Sequence, residues 1–118
     1  VIEPAVDIFN PKVIRASMGS LFHMHFKYFS SFEEYVTAYG ADRRMYPFML
    51  KGAKTLGSFQ LDINHAFSLI FGNEATGLDD TFLKVGQSVR ISHSDSIDSL
   101  NLSLAAGIAI YEFTKNSF

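Results

Sequence analysis

One segment limits the folds open to this chain more than any other. It is Ala66-Phe67-Ser68-Leu69-Ile70-Phe71, followed at once by the glycine-bounded loop Gly72-Asn73-Glu74-Ala75-Thr76-Gly77. A short, nearly continuous apolar run closed by glycine reads as a strand buried on both faces, as strands of parallel sheets are. Parallel strands need crossover connections, so helices must alternate with strands along the chain. The rest of the sequence supplies them. Asn10-Pro11 is a helix start, a capping side chain followed by proline at the first helical position, and that helix is expected to run to about Leu21. His25 to Phe29 alternates as a strand. Ser31 and Glu34 form a capping box for a helix over 32–39 that stops at Gly40. Arg44 to Leu50 is a second strand, 51–65 a connector, and Ser88 to Ser92 a fourth strand. A short helix begins near Asp79 and Asp80, whose charges suit its N-terminus, and a long last helix ends near Thr114. The expected class is α/β, a mostly parallel sheet with helices on both faces, in one domain over residues 1–118.

In open sheets of this kind ligands sit beyond the C-terminal ends of the strands, here in the loops after Phe71 and Ile91. The first loop has the glycine spacing of a phosphate loop, but Leu78-Asp79 stands where Lys-Ser/Thr must follow. Glu74, Asp79 and Asp80 would repel a triphosphate, so the loop suits a neutral or cationic ligand, or none if it is only a tight turn into the next helix. The second loop holds serine, histidine and aspartate together at 92–99. Adjacent residues cannot fold back on one another as a triad, and no Gly-x-Ser-x-Gly turn exists, which argues against a hydrolase. Asp98 or Ser99 suits a helix cap, and Asn101 lies in the first turn, where its amide can read a ligand's polar edge.

His23 and His25 share one strand face, while His65 and His93 lie far off in sequence with no carboxylate cluster, so no metal site is expected. Cys 0 removes disulfides and thiolate chemistry. The balance of Lys+Arg 10 against Asp+Glu 12, a net charge of -2, runs mildly against a dedicated nucleic-acid binder. No apolar run reaches the ~20 residues that span a bilayer, and a cytoplasmic location without membrane partners is expected. The last helix is apolar nearly all round. Leu100, Leu104, Gly107, Ile108 and Tyr111 form one face, and Leu102, Ala105, Ala109, Ile110 and Phe113 most of the other. Such a helix is buried on more than one side. Its spare face meets either a second subunit, approached closely over Ala105, Ala106, Gly107 and Ala109, or only the chain's own sheet.

Three segments, in order, resemble the signature motifs of the SpoU (TrmH-like) branch of the SPOUT RNA methyltransferases. They are Asn10-Pro11-Lys12-Val13-Ile14-Arg15-Ala16-Ser17-Met18-Gly19-Ser20-Leu21-Phe22, then Leu69-Ile70-Phe71-Gly72-Asn73-Glu74-Ala75-Thr76-Gly77-Leu78. The last is Val89-Arg90-Ile91 with Ser99-Leu100-Asn101-Leu102-Ser103-Leu104-Ala105-Ala106-Gly107-Ile108 and Tyr111-Glu112. The resemblance implies a deep trefoil knot at the C-terminal end and S-adenosylmethionine bound against Phe71, Gly72, Asn73, Gly77, Ile91, Ser99, Leu100 and Asn101. It implies methyl transfer to a ribose 2′-hydroxyl of tRNA or rRNA, with Glu74, Ser99 and Asn101 lining the active site and Arg15 touching RNA phosphate. A solvated helix charge is the other reading of Arg15. The resemblance also implies a homodimer built from the first-motif helix and the last helix. Ser92 stands where the family usually has proline. The family's earlier Asn-x-Gly segment, with the arginine that follows it, has no match in residues 1–118. It is expected upstream of Val1, together with one or two strands and a helix, in a longer parent chain. The alternatives are a non-catalytic dimerisation module that binds cofactor or RNA on the same fold and, disfavoured by Leu78-Asp79, a nucleotide-binding α/β domain.

Overall fold

A computed structural model of the chain describes residues 1–3, 5, 9–16, 18, 23–58, 65–73, 76–91 and 102–117, without the side chains at 14, 16 and 117. The elements follow in the order α1 (Pro11–Ala16), α2 (Phe32–Tyr39), a 3₁₀ turn (Gly40–Asp42), β1 (Arg43–Pro47), β2 (Lys54–Thr55), β3 (Ala66–Ile70), a 3₁₀ helix (Asp80–Lys84), β4 (Val89–Arg90), α3 (Leu102–Thr114) and a last 3₁₀ turn (Lys115–Ser117). They fall into two compact units, Val1–Ala41 and Asp42–Phe118.

In the N-terminal unit, Asn10 caps α1 as the sequence predicts, its Oδ1 accepting the Lys12 N–H at 2.9 Å. The helix does not run to Leu21. Met18 takes the left-handed conformation at φ 55 while its N–H donates to the Arg15 carbonyl at 3.1 Å, which ends the helical ladder. The expected strand over 25–29 reduces to a single parallel bridge, Ile2↔Phe29, flanked by Glu3 N–H to Phe29 O and Phe29 N–H to Val1 O, both at 2.8 Å. The helix over 32–39 forms as expected. Ser31 Oγ accepts the Glu34 N–H at 3.1 Å, while Glu34 Oε2 reaches back to the Ser30 N–H at 2.9 Å and to the Ser30 hydroxyl. The return half of the capping box thus lands one residue early. The Ser30 hydroxyl and N–H hold the Glu34 carboxyl below its ordinary range. Phe29 is buried under α2, its ring edge-on to Tyr35 at 5.4 Å and to Tyr39 at 6.0 Å. Replacing Ser31 by alanine is expected to cost about 1 kcal/mol. Urea titration followed at the helical CD band measures it, and an unchanged midpoint would show the cap to be idle.

In the C-terminal unit β1 is the organising strand. It pairs in parallel with β3, from Arg43↔Ala66 to Pro47↔Ile70. On its other side, Gln87 N–H donates to Met45 O at 3.1 Å, Met49 N–H donates to Val89 O at 2.9 Å, and Phe48 bridges Val89 in parallel. β4 in turn pairs in parallel with β2, Lys54↔Val89 and Thr55↔Arg90. The described strands therefore lie in the order β3–β1–β4–β2, all parallel, as the sequence predicts for the class. β2 falls inside the segment read as connector. β3 is not buried on both faces: Ala66 is exposed and the rest half-buried.

The register puts Tyr46, Phe48, Leu69 and Val89 on one face of this sheet, and α3 packs there through Phe113. Its ring centroid lies 4.9 Å from Tyr46 and 5.0 Å from Phe67. Val89, Tyr46 and Phe113 form the buried centre, with Phe48, Leu56, Phe67 and Leu69 around them. Ala109, one turn before Phe113, is fully buried. On the opposite side of α3, Leu104 (56%), Ile108 (37%) and Tyr111 (61%) are exposed. These belong to the first of the two faces read from the sequence. Ile110, read on the same face as Ala109 and Phe113, is exposed too.

Candidate functional site

Because the strands run parallel, β1, β3 and β4 deliver their C-terminal ends to one edge of the sheet. There the chain after β3 closes on itself. Asn73 O accepts the Gly77 N–H at 2.8 Å and Asn73 Oδ1 accepts the Thr76 N–H at 3.0 Å. Gly77 sits at φ +67, a conformation that other side chains rarely adopt. Gly72 lies hard against the far side of the loop. A β-carbon there would stand 2.3 Å from the Gly77 carbonyl carbon and 2.5 Å from the Leu78 nitrogen. The two glycines that bound the loop are therefore required for different reasons, one for closeness and one for its backbone angle.

The loop then enters the 3₁₀ helix. Asp79 caps it, its Oδ1 accepting the Thr81 N–H at 2.9 Å and the Thr81 hydroxyl. Asp80 pairs with Lys51 at 3.5 Å between side chains 70% and 72% exposed, a contact that contributes little in water. Of the three acidic residues that the sequence sets around this loop, Asp79 is thus spent on helix capping and Asp80 faces solvent. Glu74 lies outside the described residues.

The neighbouring strand ends complete the edge. Phe71 is half-buried, its ring stacked on that of Phe48 at 4.8 Å and 17°. Phe48 N–H donates to Ile70 O at 2.9 Å. Ile91, half-buried, continues β4. Gly52 seals the β1–β2 connection against β4, where a β-carbon would meet the Val89 carbonyl carbon at 2.3 Å. Beneath it Ser88, 2% exposed, accepts the Ala53 N–H on its Oγ at 2.9 Å. Sequence reasoning missed Phe48 and Gly52, because a phenylalanine and a glycine at a strand end carry no motif.

Of the site residues named from the sequence, Phe71, Gly72, Asn73, Gly77 and Ile91 come to this edge. Ser99, Leu100 and Asn101, like Glu74 and His93, lie outside the described residues. Arg15 is exposed in the last turn of α1, in the N-terminal unit. His23, His25 and His65 are exposed, and among the described residues no cluster of three metal-ligating side chains occurs. What the described edge offers a ligand is backbone amide and carbonyl groups, the apolar Phe71, Leu78 and Ile91, and no basic side chain from 71 to 73 or 76 to 80. That donor set fits an adenosyl group and a sulfonium better than a phosphate chain.

The SpoU rRNA Methylase family matches residues 1–111. The chain is 33% identical over 108 residues to a 23S rRNA (adenosine(1067)-2′-O)-methyltransferase of Streptomyces laurentii, covering 90% of this chain and 39% of that protein. It thus spans about two fifths of the length of the curated relatives it matches. A structure solved to explain 2-OH methylation of C/U34 on tRNA superimposes with a TM-score of 0.87 at 27% identity, over 97% of this chain and 74% of that one. The SpoU methyltransferase AviRb of Streptomyces viridochromogenes, solved with the cofactor AdoMet, does so with a TM-score of 0.82 at 27% identity, over 99% of this chain and 46% of that one.

Proposed function

The chain belongs to the SpoU rRNA Methylase family, and from that premise we propose that it is the cofactor-holding part of an RNA methyltransferase acting on a ribose 2′-hydroxyl of rRNA or tRNA. The observation that carries the reading is the closed Gly72–Gly77 loop at the C-terminal end of β3, beside the ends of β1 and β4. S-adenosylmethionine, when bound, supplies a methyl group on a positively charged sulfur. Phe71, Gly72, Asn73, Gly77 and Ile91 hold it through backbone groups and apolar contact, with Ser99, Leu100 and Asn101 completing the pocket and Glu74, Ser99 and Asn101 lining the reacting side. Arg15 contacts RNA phosphate. The family likeness further supports a trefoil knot in which the loops after β3 and β4 and the helix α3 thread through an earlier loop.

A ribose hydroxyl is a poor nucleophile, so transfer needs a placed group that takes its proton or stabilises the oxyanion. Residues 1–118 contain no Asn-x-Gly segment with a following arginine to fill that role. This favours, for the chain by itself, the second reading of a cofactor-binding module. The 118-residue chain is expected to bind S-adenosylhomocysteine, with stabilisation of about 2.7 kcal/mol at a hundred times Kd. It is expected to methylate bulk rRNA or tRNA only at the background rate. Calorimetry and tritium incorporation from labelled S-adenosylmethionine test the two halves separately. A folded chain that leaves millimolar S-adenosylhomocysteine unbound removes the cofactor assignment. Turnover abolished by Glu74→Gln shows that the catalytic group is present after all.

Dimerisation is part of the same proposal. The face Leu104, Ile108 and Tyr111 supports it, being apolar, continuous along one side of α3 and exposed. The first-motif helix α1 is the second contributor in the resembling family. Ala109 belongs to the chain's own core rather than to this face. Ile108→Glu is expected to give monomers where the wild-type chain sediments as a dimer at micromolar concentration. A wild-type monomer at that concentration would refute the assignment.

A further inference from the structure

Phe48 follows β1 directly and meets residues of the strands on both sides of it. Its ring stacks on Phe71 at 4.8 Å and 17° and meets Phe113 of α3 at 6.3 Å and 61°. Its backbone N–H donates to Ile70 O, the residue before Phe71, while the residue itself bridges Val89 of β4. Phe48 is thus pinned from both flanks by the two strands that lead into the two cofactor loops. Gly72 and Gly77 carry no side chains, and Asn73 and Thr76 are exposed and bonded to each other. Phe71 leads directly into Gly72, and it is against the ring of Phe71 that the flat ring of Phe48 lies.

We propose that Phe48 is a positioning residue for the cofactor loop: the face of its ring fixes the plane of Phe71, and so the path of the backbone at Gly72 on which the loop closes. The ligand side of this statement rests on the proposed S-adenosylmethionine site, whereas the loop side does not. An aromatic residue serving only to fill volume would be enclosed, as Phe113 is. Both Phe48 and Phe71 are half-buried, at the end of the sheet where the loop leaves it. A near-parallel stack restricts the tilt of its partner in a way that a branched aliphatic side chain of similar bulk does not.

The test uses Phe48→Leu and Phe48→Tyr in the 118-residue chain, with calorimetry against S-adenosylhomocysteine and amide hydrogen exchange. Phe48→Leu is expected to weaken S-adenosylhomocysteine binding about ten-fold and to speed exchange at the Gly77 amide, which is bonded to Asn73 O, by a similar factor. The Leu56 amide, bonded to Arg90 O within the sheet, should keep its protection. Phe48→Tyr, which keeps the flat ring, should restore both binding and protection. The proposal is overturned if the leucine variant matches wild type at Gly77. It is equally overturned if tyrosine fails as leucine does, or if Leu56 loses protection alongside Gly77, which would make Phe48 ordinary core. Should wild type leave S-adenosylhomocysteine unbound, the functional proposal fails by itself, and the Gly77 exchange comparison still decides this one.

Discussion

Gly72→Ala is expected to abolish S-adenosylhomocysteine binding at concentrations that saturate the wild-type chain, and to lower stability by about 1–3 kcal/mol. The new methyl group would stand 2.3 Å from one backbone atom and 2.5 Å from the next, neither of which can rotate away. Relief requires the Gly77–Leu78 peptide to move outward. That strains or breaks the bond from Gly77 N–H to Asn73 O and reopens the loop whose backbone would face the cofactor. Calorimetry gives the first quantity and urea unfolding the second. An alanine variant that binds as tightly as wild type would show that the loop has room which the backbone geometry denies it.

The second large effect lies in the core. Phe113→Ala is expected to cost about 3–5 kcal/mol, a large share of the roughly 5–15 kcal/mol by which domains of this size are stable. Phe113 is the side chain through which α3 meets the rings of Tyr46, Phe48 and Phe67. Removing it leaves a void against strands that cannot collapse toward a helix backbone. At the upper end of that range the C-terminal unit would be partly unfolded at 37 °C. A fall in the urea midpoint equivalent to less than about 1 kcal/mol would mean that another residue carries the helix–sheet contact.

The features legible in the sequence were those with local causes. Ser31 and Glu34 marked the start of α2 because a hydroxyl and a carboxylate can satisfy only nearby amides. Asn10 marked its helix start for the same reason, whereas Asp79 and Asp80 marked theirs by the charge that suits a helix N-terminus. The apolar run before Gly72 marked β3 and its loop. What escaped was set by distant neighbours. β2 is a strand only because Lys54 and Thr55 lie beside Val89 and Arg90, and two residues carry no periodicity. α1 stops early because Met18 turns left-handed, which no residue preference signals for methionine. β3 looked doubly buried because apolar content cannot reveal how completely the layers on either face cover a strand. At the candidate site, Gly72 and Gly77 stood out as residue types, whereas Phe48 matters only through contact with Phe71. The roles of Glu74, Ser99, Leu100 and Asn101 came from family resemblance and not from pattern.

The order β3–β1–β4–β2 also has a consequence for how the chain is made. β1 is synthesised before both of its partners, and each of those bonds lies across a long stretch of sequence. As the polypeptide emerges, the stretch Met45–Phe48 must wait, apolar and with both hydrogen-bonding edges bare, first for residues 66–70 and then for 87–89. Non-local parallel pairing of this kind is slow, and a waiting edge is a template for the wrong neighbour. The ribosome-bound or newly released chain is the form most prone to aggregate. Pauses that fall between the emergence of Phe48 from the ribosome and that of Val89 should lengthen that exposure, whereas pauses after Val89 has emerged should not.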